Sequence, residues 1–438
     1  MSKHINQVQL DSAEMVSFLE HIISNNRHIQ QQGKKVVATE VIGDSGLGKT
    51  SVVLQIAEQH KLDVVKLNLA QIEELGDLVG FPVRQFELCK KGEQPMPVEA
   101  PKFEMKKVEI APGKFAIKKI PVKAPVVDAK TKACVWIDEN AVEQYTKQGY
   151  EFTGKKRMSY CPPEWIADKQ GGGILMLDDW NRADTRFIQA VMELVDRQEY
   201  ISWKLPKDWH IILTANPDDG NYMVNSIDSA QKTRFVSVVM KWNHERWAEW
   251  AETEGIDGRC INFVLMHPEI VDADQGVNPR SITTFFNCIS SVKTFEDDLP
   301  LIQMVGEGSV GGEVATLFTQ FINNRLDKLV TPKDILLTKD DAKVIKLLTD
   351  ATGEVSSSEY RADIASILTT RLINYTLNYA TKNPITPEII NRLIMLVKEE
   401  EVFTDDLKYH IVKKILNGNK QKFQKLIFDK DVQAYATK

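Results

Sequence analysis

Apolar residues in the first 240 positions fall into short runs, separated by stretches with helical spacing. Five of these runs have the length and composition of buried strands: Lys35 to Ile42, Leu62 to Leu69, Gly171 to Asp179, Trp209 to Asn216 and Phe235 to Met240. Between them, apolar positions three and four residues apart predict helices over 49–60 and 183–198. Because strands that alternate with helices are typical of a parallel sheet, the sequence predicts an α/β fold with a five-stranded parallel sheet.

Helical spacing continues from Lys241 almost to the end of the chain. Its clearest stripe consists of Ile364, Leu368, Leu372, Tyr375 and Tyr379. Such stripes usually pack in a protein's own core. Another helix is predicted near the N-terminus, where Asp11 and Ser12 can cap it and from which it runs to about Asn26. The predicted organisation has four parts: an N-terminal helix (1–34), an α/β domain (35–240), a helical domain (241–330) and a C-terminal helical region (331–438).

Prolines and lysines become frequent over 84–160, which we interpret as an insertion that projects from the α/β domain. Within it, Val108 to Ile120 predicts a hairpin around Pro112-Gly113. Its basic residues can contact an acidic partner or nucleic acid: Lys106, Lys107, Lys118, Lys119 and the run Lys155-Lys156-Arg157. Equally, charges on an exposed hairpin keep its edges from pairing with other chains. Just upstream, Gly76 to Val83 is predicted to be a break followed by a turn.

Composition and charge are ordinary for a globular protein. The 438 residues carry 55 Lys and Arg against 61 Asp and Glu, a net charge of −6, so no global basic field favours nucleic acid as a partner. The N-terminus lacks a secretion signal, and no apolar run reaches the roughly 18 residues of a membrane span, which predicts a soluble, cytoplasmic protein. The five cysteines are far apart and form no C-x-x-C pair, which indicates reduced thiols and neither a zinc site nor a disulfide framework.

The clearest chemical signal is the stretch VIGDSGLGKTS, which follows the first predicted strand and opens a helix. It contains G-x-x-x-x-G-K-T, the pattern of a phosphate-binding loop. Its candidate nucleotide-binding residues are Gly43, Asp44, Ser45, Gly46, Leu47, Gly48, Lys49, Thr50 and Ser51. In such a loop the backbone N–H groups point at phosphate oxygens, the lysine reaches the β- and γ-phosphates, and the Thr50 hydroxyl is a ligand for Mg²⁺.

A second signal is the pair of carboxylates at the end of the strand GGGILMLDD. Asp178 is positioned to be a second Mg²⁺ anchor, and Asp179 can orient or activate a water that attacks the nucleotide. The alternative is an acidic turn exposed to solvent. We prefer the first interpretation because adjacent carboxylates at the end of a buried strand are costly without a cation or water.

Five motifs together resemble the MoxR branch of the AAA+ ATPases, whose relatives in architecture include midasin, dynein and the McrBC-type restriction motors. They occur in the order GDSGLGKT, ILMLDDWNRAD, TANP, DSAQKTRF and GVNPRS. The resemblance covers about 35–290 and includes two hairpins, one in the insertion and one at Tyr200 to His210. It implies that the protein binds and hydrolyses ATP with Mg²⁺, and that 241–330 forms a helical lid.

The resemblance also implies roles for individual residues. Asn216 matches sensor 1, Arg234 the arginine finger and Arg280 the sensor 2 arginine of the lid. More weakly, Asn68 matches a polar residue that restrains the catalytic acid, and Arg182 is a second candidate for action across a subunit interface. An arginine finger completes the site of a neighbouring subunit, so the resemblance implies a ring, most simply a hexamer.

By the same resemblance, the partner is a protein that the ring remodels or activates, with a von Willebrand A domain protein as one candidate. One departure is that Asp179 stands where the family usually has Glu, and the shorter side chain predicts slow hydrolysis. Two alternatives stay open on the sequence alone. One is a nucleic-acid-associated motor that uses the lysines of 84–160, and the other is a nucleotide-dependent scaffold with little hydrolysis.

Overall fold

A computed structural model describes residues 8–90, 103–111, 114–121, 133–271, 276–323 and 330–436. The chain forms two compact units. The first comprises 1–66, 173–182 and 210–438, and the second comprises 67–172 and 183–209. Within the described residues, no helix combines the length and apolar character that crossing a bilayer requires.

A six-stranded sheet organises the first unit. Its strands are β1 (Gln9–Leu10), β2 (Ala38–Ile42), β3 (Asp63–Asn68), β9 (Gly173–Asp178), β12 (Trp209–Ala215) and β13 (Phe235–Met240). They lie in the order β1-β13-β2-β12-β9-β3, and β1, β13, β2 and β12 are parallel to one another. The predicted α/β fold with a parallel sheet is therefore confirmed. The predicted count of five strands was one short, because the two residues of β1 add to the edge at β13.

Two helices cover the sheet of the first unit. The first, α1 (Ser12–Gln31), begins at a capping box in which the Asp11 carboxylate accepts the N–H of Glu14 and the Glu14 side chain accepts the N–H of Asp11. It extends beyond the predicted end at Asn26. The second, α2 (Lys49–His60), has the predicted bounds. Their apolar faces pack with the sheet in one core that includes Met15, Val53 and Met176.

Beyond β13 the first unit is helical, as predicted. The short helix α7 (Ser229–Lys232) precedes β13. The helices that follow β13 are α8 (His244–Glu254), α9 (Gly258–Met266), α10 (Pro279–Cys288), α11 (Leu299–Val310), α12 (Gly312–Asn323), α13 (Pro332–Leu337), α14 (Asp341–Thr352), α15 (Ala362–Lys382), α16 (Pro387–Lys398), α17 (Asp405–Gly418), α18 (Lys420–Phe423) and α19 (Lys430–Ala436). They form two apolar cores, one within 242–322 and one within 330–435.

A buried ion pair joins these two groups of helices. Arg371 of α15 donates to the Glu252 carboxylate of α8 over 2.9 Å and to the Asn262 side chain of α9 over 3.0 Å. Gly258 lies so close that a Cβ there would be 2.4 Å from an Arg371 nitrogen. The guanidinium therefore occupies space that only glycine leaves free.

The second unit is built on a three-stranded antiparallel sheet in the order β7-β4-β8. Its elements are α3 (Leu75–Val79), β4 (Phe81–Lys90), β5 (Phe103–Ala111), β6 (Lys114–Pro121), β7 (Ala133–Asp138), α4 (Val142–Lys147), β8 (Glu151–Cys161), α5 (Glu164–Ala167), α6 (Thr185–Arg197), β10 (Glu199–Tyr200) and β11 (Trp203–Lys204). The predicted break and turn at Gly76 to Val83 was wrong, because α3 is followed directly by β4. The predicted hairpin is present as the antiparallel pair β5 and β6, while its turn, Pro112-Gly113, lies outside the described residues.

A disulfide between Cys89 and Cys134 contradicts the prediction of reduced thiols. The two cysteines are 45 residues apart in sequence and directly opposite each other on the antiparallel strands β4 and β7. Sequence spacing could not reveal this pair because strand register creates it. The remaining cysteines, Cys161, Cys260 and Cys288, are free.

Candidate functional site

The phosphate-loop sequence lies between strand β2, which is buried along its whole length, and helix α2. Gly48 precedes the helix with φ 94°, and Gly46 has φ 81°, in the left-handed region that favours glycine. A Cβ on Gly46 would lie 2.5 Å from Oδ1 of Asn278, the residue that caps α10. The loop is thus in close contact with the start of α10, which carries Arg280.

Lys49 is buried and folds back over the loop. Its Nζ donates to the carbonyl oxygens of Gly43 (2.5 Å) and Asp44 (3.0 Å) and to Oδ1 of Asn216 (3.3 Å). Burial lowers the pKa of this ammonium to about 8, although the carboxylates of Asp179 and Asp178 oppose the shift. Lys49 is therefore a cation held in place by neutral oxygens.

Strand order explains how Asn216 reaches both halves of the site. It follows β12, which lies in the sheet between β2 and β9, and therefore between the loop and the two carboxylates. While its Oδ1 accepts from Lys49, its Nδ2 donates to Oδ1 of Asp179 over 3.0 Å. One buried amide thus connects the lysine to the carboxylate.

Thr214, on β12, organises both aspartates. Its hydroxyl donates to Oδ1 of Asp178 (2.5 Å) and accepts the backbone N–H of Asp179 (3.1 Å). The second oxygen of Asp178 forms an ion pair with Lys66 of β3 at 2.8 Å. Asp179 has φ 51°, a conformation that a non-glycine residue rarely adopts, and it directs its side chain towards Asn216.

Asn181 is a site residue that sequence reasoning missed. Its side-chain Oδ1 accepts the backbone N–H of Asn216 (3.2 Å), and its Nδ2 donates to the Asn216 carbonyl (2.8 Å). This pair of bonds fixes the backbone of Asn216 from the short 3₁₀ helix Trp180–Arg182. The signal was present as Asn181 in the segment DDWNRAD, but only the fold shows that this amide meets β12.

Lys49, Asp178, Asp179 and Asn216 open onto one cleft of about 420 Å³. Its walls include the loop residues Ser45 to Val52, the carboxylates of Asp178 and Asp179, Asn216, and Arg280 with Thr283 and Thr284 of α10. The side next to α8 is aromatic, with Trp242, Trp247 and Trp250. The cleft is large enough for a small ligand, and Lys241, Asn243 and Arg246 line it beside the tryptophans.

Tyr222 is a second site residue that sequence reasoning missed. Its hydroxyl accepts the backbone N–H of Ser45 over 3.1 Å and lies 3.4 Å from Oδ1 of Asp44. The loop between β12 and α7 thereby contacts the phosphate loop. The Ser45 N–H, a loop donor of the kind that binds phosphate, therefore donates to a side chain of the same protein.

The donor chemistry of the cleft fits Mg²⁺ that arrives with a phosphate ligand. The Thr50 hydroxyl and the Asp178 carboxylate are hard oxygen ligands, and both line the cleft. Across the described ranges, no cluster of three or more His, Cys, Asp or Glu side chains could hold a metal alone. Mg²⁺ is typically bound by one or two protein oxygens together with substrate phosphates, so these two residues would hold it.

The remaining predicted site residues do not line the cleft. Arg234 is exposed at the start of β13 and, among the described residues, is not one of those lining the cleft. Arg182 is half exposed, and its Nη1 lies 3.7 Å from Oδ2 of Asp179 in the same chain. Asn68 accepts the backbone N–H of Ala70 through its side chain and so stabilises the turn after β3.

No protein-family model and no curated protein matches the chain. Among solved structures, it is similar to the RuvB Holliday junction branch migration motor of Thermotoga maritima, with 10% identity and a TM-score of 0.33 over 90% of this chain and 94% of that one. A point mutant of that RuvB is similar at 10% identity and a TM-score of 0.34, over 92% of this chain and 97% of that one. A similarity this distant does not indicate what the chain does.

Proposed function

We propose that this protein is an ATPase of the AAA+ class, similar to the MoxR branch. The observation that carries the proposal is the connected set Lys49, Asn216 and Asp179, in which one amide bonds both the lysine of a phosphate loop and a carboxylate. The five motifs of the sequence support the same assignment. The tryptophans that line the cleft offer a surface on which a nucleobase can stack.

In this proposal each residue acts on a different part of the reaction. Lys49 binds the β- and γ-phosphates once it leaves the carbonyl oxygens that accept its hydrogen bonds. Arg280 adds positive charge from α10. Asn216 and Asp179 hold the attacking water, and a carboxylate oxygen of Asp179 accepts its proton. Mg²⁺ bound by Thr50 and Asp178 would neutralise phosphate charge.

Arg234 is proposed to act in the site of a neighbouring copy. Its exposed position supports this role, since a guanidinium that completes another subunit's site has to lie on the surface. We therefore propose a ring of identical subunits, a hexamer, that changes the conformation of a partner protein as ATP is hydrolysed. A von Willebrand A domain protein is the candidate partner.

Steady-state phosphate release tests hydrolysis. We expect Mg-ATP turnover in the wild type and about a 100-fold or larger loss in Asp179→Asn, because the amide cannot accept a proton. Asp350→Asn, which alters an exposed aspartate on α14, should leave the rate unchanged. Equal rates in wild type and Asp179→Asn would contradict the role of Asp179.

Mixing two inactive variants tests the ring. Lys49→Ala keeps Arg234 but lacks the phosphate-binding lysine, whereas Arg234→Ala keeps an intact loop. If the arginine acts across an interface, mixtures should recover part of the phosphate-release rate that neither variant shows alone. The proposed ring would be refuted by two results together: the mixtures recover no activity, and the wild-type rate per chain does not rise with protein concentration.

A further inference from the structure

Both oxygens of the Asp178 carboxylate are engaged within the protein. Oδ1 accepts the Thr214 hydroxyl proton at 2.5 Å, and Oδ2 pairs with the Lys66 ammonium at 2.8 Å. The Asp178 side chain is only 13% exposed, so water contributes little to stabilising its charge. Lys66 therefore supplies a positive charge in direct contact with this carboxylate.

Lys66 reaches Asp178 from the neighbouring strand, because β3 lies beside β9 at the end of the sheet. Its own side chain is 43% exposed. An ammonium at that exposure can leave the carboxylate for solvent without being stranded in the interior. The ion pair between Lys66 and Asp178 is short, yet the ammonium can exchange the carboxylate for water.

We propose that Lys66 is a positioning residue that competes with Mg²⁺ for Asp178. This inference rests on the proposed function, since it concerns the metal that accompanies the nucleotide. With no nucleotide bound, the ammonium holds the carboxylate in place. When Mg²⁺ and nucleotide enter together, the ammonium is displaced, because two cations cannot share one carboxylate oxygen without repulsion.

Competition and a supporting role predict opposite effects of removing Lys66 on Mg²⁺ binding. If Lys66 only held Asp178 in position, its removal would weaken metal binding. Under competition its removal strengthens metal binding, since Mg²⁺ no longer displaces an ion pair or approaches a fixed positive charge. Nucleotide binding without metal should change little, because Lys49 and the loop N–H groups are untouched.

The test is a Mg²⁺ titration of a fluorescent, non-hydrolysable ATP analogue bound to the full chain, read as fluorescence and not as turnover. For Lys66→Met we expect the Mg²⁺ concentration at half-saturation to fall by roughly two- to fivefold, the size expected for one partly exposed ion pair. Lys66→Gln, also uncharged, should behave alike and serves if the methionine variant folds poorly. Lys66→Arg keeps the charge and should resemble the wild type.

Lys398→Met is the matched control. Lys398, on α16, pairs with Asp429 at the same 2.8 Å and is 45% exposed, but Asp429, unlike Asp178, does not line the cleft. Its half-saturation should equal that of the wild type. An unchanged or raised Mg²⁺ requirement in both Lys66→Met and Lys66→Gln would overturn the competition and leave the ATPase proposal intact. Failure of the wild type to bind the analogue at any Mg²⁺ concentration would overturn both.

Discussion

At the scale of residues, the site consists of polar groups that satisfy one another. Lys49 donates to two loop carbonyls, Asn216 bonds the lysine and Asp179, and the Ser45 N–H donates to Tyr222. A buried polar group without a partner costs about 1–3 kcal/mol, so such internal bonds stabilise the site. Under the proposed function, phosphate oxygens would replace the loop carbonyls as acceptors of the Lys49 hydrogen bonds.

The pKa of Lys49 predicts how nucleotide affinity depends on pH. Only the ammonium binds phosphate, and burial has lowered its pKa to about 8 in the free protein. Affinity should be flat below about pH 7.5 and should fall by up to about tenfold per unit above pH 8. Lys49→Arg, which does not deprotonate in this range, should bind with a flat profile at whatever affinity it retains. A wild-type affinity that is constant to pH 9.5 would contradict this prediction.

The lowered pKa of Lys49 also affects how the free energy of unfolding depends on pH. The pKa in the folded protein, about 8, lies below the ordinary value of 10.5, so the unfolded chain binds more protons between those two values. The contribution of Lys49 to the free energy of unfolding is therefore unfavourable below pH 8 and is relieved as pH rises from 8 to 10.5. A cation stored at this cost is consistent with a functional role.

Sequence could predict the residues of the loop and the two aspartates because their spacing along the chain is fixed by local chemistry. It could not predict Asn181, Tyr222 or Lys66, which reach the site from the short 3₁₀ helix after β9, a loop and a neighbouring strand. Their contacts depend on which strands are adjacent in the sheet. Hydrophobic periodicity reports the face of an element and does not report its neighbour.

At the scale of elements, buried strands were the most predictable part of the chain. The strand Phe235–Met240 and the helix Lys49–His60 begin and end where the sequence predicts, since β-branched residues and a loop glycine mark their limits. Gly76 to Val83 failed because its two glycines suggested a turn. Instead Gly80, at φ 85°, ends α3, and a Cβ there would be 1.8 Å from the Cys161 carbonyl oxygen.

The disulfide between β4 and β7 should stabilise the second unit. Reducing the Cys89–Cys134 bond should lower the free energy of unfolding of the second unit by about 4 kcal/mol, since a closed loop of 45 residues is released in the unfolded chain. Thermal unfolding with and without reductant measures this. Cys161→Ser, which removes a free and exposed cysteine, should leave the shift unchanged. Alkylation of all five cysteines in unreduced, denatured protein would contradict the bond.

At the scale of the first unit as a whole, the helices that border the cleft are tied to the C-terminal helices through Arg371. α8 contributes Trp247 and Trp250 to the cleft, and its Glu252 accepts from Arg371 of α15. A shift of α8 on nucleotide binding would therefore displace α15 or strain this ion pair. This contact gives the C-terminal helical region a physical route to the site.

Arg371→Met tests the strength of that connection. Removing the guanidinium leaves the Glu252 carboxylate, whose side chain is only 12% exposed, without its partner, which should destabilise the helices of the first unit by about 3 kcal/mol. Urea unfolding followed by circular dichroism measures the loss. Arg361→Met, which removes an exposed ion pair with Asp363 at the start of the same helix, should cost less than about 1 kcal/mol. Equal losses in the two variants would show that the buried pair is not a structural link.

Calorimetric titration of the full chain with Mg-ATP tests whether the cleft beside the phosphate loop binds ATP through Lys49. We expect one nucleotide per chain in the wild type and in Asp179→Asn, and no measurable binding in Lys49→Ala. Binding that survives Lys49→Ala with unchanged affinity, or a wild type that takes up no nucleotide, would contradict it.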